Sequence, residues 1–227
     1  MSTFEQTLVD GSWYEKQYSV PGERYYELYN NSIGAAAKAM YRYHVRSAIA
    51  IFMLNPGEHN ILELGCGMGH YMAAIENEGF ECSGVDISKT AIAKSGRSTC
   101  YHAGADNLSM FEDDSFSVVF SFAFIEHIHV DHTRRVIEEA MRVSEFGQLH
   151  CVTTEAGDDP SHIHVQDGNG WVNEIAEYLP YDWCCVLIPN PHNIVLPYLG
   201  IFNTNRFPVT ISVPTANRQL HAARGRK

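Results

Sequence analysis

Short apolar runs alternate along this chain with segments whose apolar positions recur every three or four residues. The alternation predicts strands and helices that follow one another, the order that builds a mostly parallel sheet covered by helices. The predicted strands are Asn60–Leu64, Glu81–Val85, Cys100–Ala103, Ser117–Phe122, Gln148–Thr153, Trp183–Ile188 and Tyr198–Asn203.

Helices are predicted between these strands over Tyr71–Asn77, Ala91–Ser95 and His132–Val143. The last has an amphipathic pattern, and Asp131 is the expected N-cap. Its apolar stripe consists of Val136, Ile137, Ala140, Met141 and Val143.

The segment before the sheet is rich in tyrosine and helix-forming residues. It is predicted to form a helical cap over residues 1–55, followed by one α/β domain over residues 56–205 and a tail over residues 206–227. An irregular region, 155–170, follows the fifth strand and is expected to line a ligand crevice, because such loops lie at the carboxyl ends of strands. Within it, Asp158 and Asp159 are interpreted as a solvated pair.

Charge and cysteine usage narrow the functional classes. A net charge of −11 over 227 residues opposes binding to nucleic acid. The basic end of the chain, Arg218 to Lys227, is interpreted as a solvated tail. No secretory signal or membrane span is visible in the sequence, and six scattered cysteines without a CxxC pair are typical of reduced thiols. We therefore expect a cytoplasmic protein without a membrane or nucleic-acid partner.

A glycine loop carries the strongest chemical signal. The strand Asn60–Leu64 runs into Gly65-Cys66-Gly67-Met68-Gly69, and a helical segment begins directly afterwards. Glycines at these positions allow a sharp turn and let a ligand lie against main-chain N–H groups. Glu63 precedes the loop, and Asp86 ends the next strand, where a carboxylate can accept hydrogen bonds from ribose hydroxyls. The pattern predicts a nucleoside site.

The spacing of the glycines argues against a nicotinamide dinucleotide. That fingerprint has its third glycine three positions after the second, whereas this loop reads G-x-G-x-G. A carboxylate at Glu63 would also crowd a pyrophosphate, but it suits an ammonium group.

These residues resemble the Rossmann-like, class I S-adenosylmethionine-dependent methyltransferases, in particular small-molecule enzymes similar to those of quinone biosynthesis. The likeness covers about residues 58–155. It includes the glycine loop, Asp86, the Ala105–Leu108 turn and the segment Phe124-Ile125-Glu126-His127-Ile128. The resemblance implies a Rossmann-like seven-stranded sheet with helices on both faces, and S-adenosylmethionine as the cofactor.

The resemblance also implies which residues bind the cofactor. The methionine end would lie at Glu63, Gly65, Cys66 and Gly67, and the ribose at Asp86. The adenine would lie between Ile87 and the turn at Ala105 and Asp106, with Phe122 beside the site. Relatives often have an aspartate where this chain has Gly104, so Asp106 is expected to supply the adenine contact instead.

His127 is the candidate catalytic residue. It follows the fourth strand, which folds of this type direct at the methyl donor, and histidine often titrates near neutral pH. A purely structural role in the loop is the alternative for His127, and Glu126 is interpreted as structural. His127, Asp131, His162 and His164 could together hold a divalent metal, but histidines in loops without an HExxH pattern favour an interpretation without metal.

The sequence thus predicts a methyltransferase that acts on the oxygen, nitrogen or carbon of a small molecule. The alternatives are a methyltransferase of RNA or protein, and a catalytically silent protein that binds S-adenosylmethionine as a scaffold. Methylation of a nucleobase amine is disfavoured, because Ser121-Phe122-Ala123-Phe124 stands where such enzymes have an Asn/Asp-Pro-Pro-aromatic tetrapeptide. The acceptor and the oligomeric state are not predicted.

Overall fold

A computed structural model describes residues 3–25, 27, 34–155, 157–190 and 196–207. Its helices are α1 (Thr3–Val9), α2 (Ser12–Ser19), α3 (Ala35–Phe52), α4 (His70–Asn77), α5 (Lys89–Ser95), α6 (Val130–Val143) and α7 (Gly168–Ala176). Its strands are β1 (Asn60–Leu64), β2 (Glu81–Asp86), β3 (Cys100–His102), β4 (Phe116–Phe122), β5 (Ser144–Cys151), β6 (Trp183–Ile188) and β7 (Tyr198–Asn203).

The seven strands form one mixed sheet in the order β3-β2-β1-β4-β5-β7-β6. Strands β1 to β5 pair in parallel, and β7 is antiparallel to both β5 and β6. The strand order reverses between β1 and β4. In open sheets of this kind, the crevice at the carboxyl ends of the strands beside the reversal is the usual ligand site. The predicted Rossmann-like fold is confirmed.

Apolar side chains on both faces explain why the helices cover the sheet. On one face, Ile61 and Val118 pack with Phe52 of α3 and Met72 of α4. On the other face lies a second cluster, made by side chains of β1, β2, β4 and α6: Leu62, Leu64, Val85, Val119, Val136, Ala140 and Val143. Burial on both faces accounts for the nearly continuous apolar runs from which these strands were predicted.

The predicted stripe of α6 is confirmed at four of its five positions, because Val136, Ile137, Ala140 and Val143 are buried, and Met141 is partly buried. Its predicted N-cap is wrong. The helix begins at Val130, and the His129 side chain accepts the hydrogen bond from Asp131 N at 3.3 Å. Asp131 therefore lies inside the first turn.

Two further elements differ by more than two residues from the sequence prediction. Strand β5 begins at Ser144, directly after α6, and not at Gln148, because Ser144 pairs with Phe116 across a register shift in the β4–β5 ladder. Helix α7 begins inside the region predicted to be irregular. Asp167 caps it by accepting a hydrogen bond from Gly170 N at 2.7 Å.

Among the described residues, three helices, α1, α2 and α3, precede β1 in the segment predicted to form a cap. Glu15 of α2 holds this cap at the start of α5, where its carboxylate accepts hydrogen bonds from Ser88 Oγ at 2.9 Å and Thr90 N at 3.1 Å. Lys94 Nζ donates to the Tyr18 carbonyl at 2.7 Å. Within the described ranges, the helices include none with the length and apolar character needed to cross a membrane. The basic tail lies outside the described residues.

Candidate active site

A cavity of about 520 Å³ lies at the carboxyl ends of β1, β2 and β4, beneath the cap helices. Its size is typical of a site for a cofactor or a small ligand. Every residue predicted to contact the cofactor lines it: Glu63, Gly65, Cys66, Gly67, Asp86, Ile87, Ala105, Asp106 and Phe122. His127 lines it as well. The structure therefore brings the predicted site residues together.

The glycine loop forms one wall of the cavity. Gly65, Gly67 and Gly69 all have positive φ, at 68°, 51° and 77°. A Cβ added at Gly65 would overlap the Phe124 ring, and one at Gly67 would lie 2.7 Å from Tyr18 Oη. Glycine is thus required at these two positions both by backbone conformation and by the closeness of neighbouring aromatic side chains.

Asp86 supports the loop and faces the cavity. Its Oδ2 accepts a hydrogen bond from Gly67 N and its Oδ1 one from Ser88 N, each at 2.8 Å. Burial raises the pKa of Asp86, while these two backbone N–H groups oppose the rise. Each carboxylate oxygen keeps a second lone pair, so Asp86 can still accept hydrogen bonds from two ribose hydroxyls.

Glu63 is a buried acid with an unused acceptor. Its side chain is 2% exposed, and its Oε2 has no hydrogen-bond partner. Burial raises its pKa well above the usual range, and the nearby Cys100 and Asp86 add to the rise. A ligand ammonium group at this point would pair with the carboxylate and stabilise its charged form. The methionine end of S-adenosylmethionine carries such a group.

The cofactor wall continues with aromatic and apolar side chains. Phe122 stacks on Tyr71 with ring centroids 4.0 Å apart. Ile87 lies against Gly11 of the cap, where an added Cβ would come within 2.7 Å of it. Asp106 is partly engaged, because its Oδ2 lies 3.0 Å from His132 Nδ1. These surfaces suit the flat adenine expected between Ile87 and the turn at residues 105 and 106.

His127 belongs to a hydrogen-bonded group at the other end of the cavity. Its Nδ1 lies 2.9 Å from Ser161 Oγ and 3.2 Å from the Ser161 carbonyl oxygen. Ser161 Oγ donates to Asp159 Oδ1 at 2.6 Å. Because this hydroxyl proton is directed at Asp159, His127 Nδ1 is the donor to Ser161. The lone pair of the neutral ring is then on Nε2.

Burial sets the protonation of His127. Burial and, to a smaller extent, the neighbouring His162 lower the pKa of His127 to about 4. The two rings are in edge contact with centroids 4.7 Å apart. The ring is consequently neutral at neutral pH, so the expectation of a residue that titrates near pH 7 does not fit this environment.

Asp159 and Glu126 are site residues that sequence reasoning did not assign. Asp159, interpreted above as solvated, is instead 8% exposed and pairs with Arg24 of the cap at 2.8 Å. Glu126 is completely buried, and its Oε1 accepts a hydrogen bond from Thr153 N at 3.2 Å. Burial raises the pKa of Glu126 to about 7. The adjacent Asp158 is exposed, so the two aspartates differ in environment.

The remaining histidines of this region have separate positions. His164 bonds to Thr133 Oγ1 and Glu174 Oε2, each at 3.0 Å. His129 caps α6. Of the four residues weighed above for a metal, His127 and His162 come together, whereas His164 is engaged elsewhere and Asp131 is exposed on α6.

The strand order is that of a Rossmann-like fold, and comparisons with known proteins show what the chain resembles. Residues 62–151 match the family described as "Methyltransferase domain". This part of the chain is therefore similar to a methyltransferase domain.

A curated relative, the uncharacterized methyltransferase YcgJ of Bacillus subtilis, is 29% identical over 113 residues. The match spans 45% of this chain and 44% of the relative.

Solved structures show the same fold at lower identity. The PH0226 protein of Pyrococcus horikoshii OT3 superimposes with a TM-score of 0.62 at 19% identity, over 79% of this chain and 97% of that one. Magnesium protoporphyrin IX methyltransferase from Synechocystis PCC 6803, solved with bound S-adenosylmethionine, gives a TM-score of 0.61 at 11% identity, over 86% and 97%.

Proposed function

We propose that this protein is an enzyme that transfers the methyl group of S-adenosylmethionine to a small-molecule acceptor. The observation that carries the proposal is one cavity, which joins the two acids Glu63 and Asp86 to the group around His127 and is lined in part by side chains of the cap helices. A cavity of about 520 Å³ suits the cofactor together with a small acceptor. The cap helices beside it would hinder the approach of RNA or protein.

The residues present fit this cofactor. Glu63 offers a buried, unpartnered carboxylate oxygen for the ammonium group, and Asp86 offers two further lone pairs for the ribose. Ile87, Ala105, Asp106 and Phe122 would enclose the adenosine. S-adenosylmethionine, when bound, supplies a methyl group on a positively charged sulfur. A nucleophile can attack the methyl carbon in line and displace the sulfur.

The protein's contribution is alignment and the exclusion of water. His127 Nε2 would accept a hydrogen bond from an O–H or N–H of the acceptor and fix its direction. With a pKa of about 4, His127 is too weak a base to remove a proton fully from an ordinary alcohol or amine. The hydrogen bonds through Ser161 to Asp159 hold the ring in place, and Arg24 ties Asp159 to the cap.

Binding is tested by isothermal titration. We expect S-adenosylmethionine and its demethylated product to bind with micromolar affinity, on the order of −7 to −8 kcal/mol. The absence of heat with both ligands, together with binding of a nicotinamide dinucleotide, would overturn the cofactor assignment.

The acceptor class is tested with S-adenosylmethionine that carries a labelled methyl group. A cell extract is divided by size into small molecules, RNA and protein, and each fraction is incubated with the enzyme. We expect label in the small-molecule fraction, reduced roughly 100-fold by His127→Ala, because a misdirected acceptor reacts slowly, and little changed by His59→Ala, which does not line the cavity. Label in RNA or protein would favour a macromolecular substrate. Cofactor binding without label in any fraction would favour the scaffold role.

The location of the protein in the cell is also a proposal. All six cysteines are free thiols. Free thiols favour a reducing compartment, so we propose the cytoplasm.

A further inference from the structure

Three side chains with metal-ligating atoms converge beside the cavity, and two of them, His127 and His162, line it. Glu126 and His127 come from the loop after β4, and His162 comes from the loop between β5 and α7. One ligating atom from each lies within 4.8 Å of the other two. The two loops are held together by a hydrogen bond from His164 N to the Glu126 carbonyl at 3.1 Å. The convergence is therefore part of the folded structure.

Each of the three side chains has an unused lone pair. Glu126 Oε2 and His162 Nδ1 are both buried without a hydrogen-bond partner. His127 uses Nδ1 as the donor to Ser161, which leaves the lone pair on Nε2. Buried polar atoms without a partner are costly, so two of them in residues of one cluster call for a ligand. A shared cation would satisfy all three lone pairs at once.

We propose that Glu126, His127 and His162 bind a divalent transition-metal cation. Two imidazoles and one carboxylate suit zinc, iron, cobalt or manganese better than magnesium or calcium, which prefer oxygen ligands only. The set resembles no sequence motif, because its carboxylate is the residue beside His127 and its second histidine lies 35 positions further along the chain. This explains why the sequence favoured an interpretation without metal.

The surroundings are those of a supported metal site. Ser161 accepts a hydrogen bond from His127 Nδ1, and Asp159 Oδ2 lies 3.9 Å from His162 Nε2. Glu126 Oε1 is oriented by Thr153 N. Outer-shell partners of this kind fix the tautomer and direction of metal ligands. Glu126 and Asp159 supply negative charge, and the one described guanidinium in contact with the group, Arg24, is paired with Asp159.

The role of the cation in catalysis rests on the proposed function. His127 and His162 both line the cavity, so the remaining coordination positions would face the methyl acceptor. With the cation bound, the lone pair of His127 Nε2 is taken, and the ion replaces His127 as the group that holds the acceptor. The ion would bind an acceptor hydroxyl and lower its pKa, and the hydroxyl proton would pass to water. The oxygen would then bond to the methyl carbon while the carbon–sulfur bond breaks. The electron pair of the broken bond would stay on the sulfur. The acceptor class would be a hydroxyl compound.

The experiment uses the full chain, stripped of metal with a chelator and titrated with Co²⁺ followed by absorption spectroscopy. We expect one Co²⁺ per chain, without the sulfur-to-cobalt band that binding at a cysteine would produce. Glu126→Gln and His162→Ala should each weaken binding at least 10- to 100-fold, the loss seen even for outer-shell partners. His132→Ala is the matched control, because it removes another cavity-lining histidine and should leave Co²⁺ affinity unchanged.

The proposal is overturned if the wild-type chain shows no saturable Co²⁺ binding, if the spectrum reports thiolate ligands, or if His162→Ala binds as tightly as the wild type. Thermal melting shows whether each variant is folded, and the wild-type titration decides the question even if one variant is not. Titration of the same samples with S-adenosylmethionine separates the two proposals. Loss of cofactor binding with intact Co²⁺ binding would refute the proposed function alone, and the reverse would refute the metal site alone.

Discussion

Replacement of Asp86 by alanine should weaken cofactor binding through the ribose. The carboxylate already accepts two backbone hydrogen bonds, from Gly67 N and Ser88 N, and has two lone pairs left for hydroxyl groups. A hydrogen bond to a charged group contributes about 1.5–3 kcal/mol. Two such bonds correspond to about 3–6 kcal/mol, or about two to four decades in Kd.

The ribose contact can be separated from damage to the loop by changing the ligand as well as the protein. The 2′-deoxy and 3′-deoxy analogues of S-adenosylhomocysteine each lack one hydroxyl. In the wild type, loss of either ribose hydroxyl should weaken binding by about 10- to 150-fold, the equivalent of one charge-assisted hydrogen bond. In Asp86→Ala, loss of the same hydroxyl should weaken binding by less than about threefold, because the carboxylate that accepts its hydrogen bond is already gone.

Calorimetric titration of six protein–ligand pairs, two proteins with three ligands each, gives one coupling for each hydroxyl. Glu112→Ala is the control for net charge, because it removes an exposed carboxylate remote from the cavity. Equal penalties for the deoxy analogues in wild type and Asp86→Ala would refute the ribose assignment, whatever the loss of affinity in the variant.

Three further predictions concern stability, the loop and the cap. Burial lowers the pKa of His150 to about 3, against about 6.5 in the unfolded chain, so acid favours unfolding. Between pH 7 and pH 5 the free energy of unfolding of the wild type should fall by about 2 kcal/mol more than that of His150→Gln, and an equal fall for both proteins in urea unfolding would contradict this. Gly67→Ala should weaken cofactor binding by about tenfold or more, because the new Cβ meets Tyr18 Oη. Gly96→Ala is the control, since Gly96 has a similar φ and nothing within 4 Å of its added Cβ, and equal cofactor affinities of the two variants would rule out crowding as the cause. Deletion of residues 1–30 should leave a folded domain with lower turnover, because water enters the opened cavity, and unchanged methyl transfer by the truncated chain would reduce the cap to a packing role.

Local signals predicted most of the fold. Three strands, β1, β6 and β7, have the predicted bounds, because short apolar runs between polar turns mark buried strands clearly. The start of β5 was missed, since Ser144 to Gly147 carries no apolar run and is placed in the sheet by pairing with β4. Helix α7 had a readable signal: Asp167 as N-cap, followed by the apolar positions Trp171, Val172 and Ile175.

The residues of the candidate site were likewise predicted only in part from the sequence. Glu63, the glycines and Asp86 were predicted because they lie close in sequence to the strand ends that position them. Asp159 was not predicted to be a site residue, since its position depends on an ion pair with Arg24, which is 135 positions earlier in the chain. The pairing of His127 with His162 likewise depends on how two loops meet, which no local pattern encodes.

The orientation of the cofactor is the central claim, and a crystal structure of the complex with S-adenosylhomocysteine tests it most directly. We predict the ribose on Asp86, the amino group on Glu63, and the sulfur directed toward His127. An adenosine bound outside the cavity, or a sulfur directed away from His127, would contradict the account.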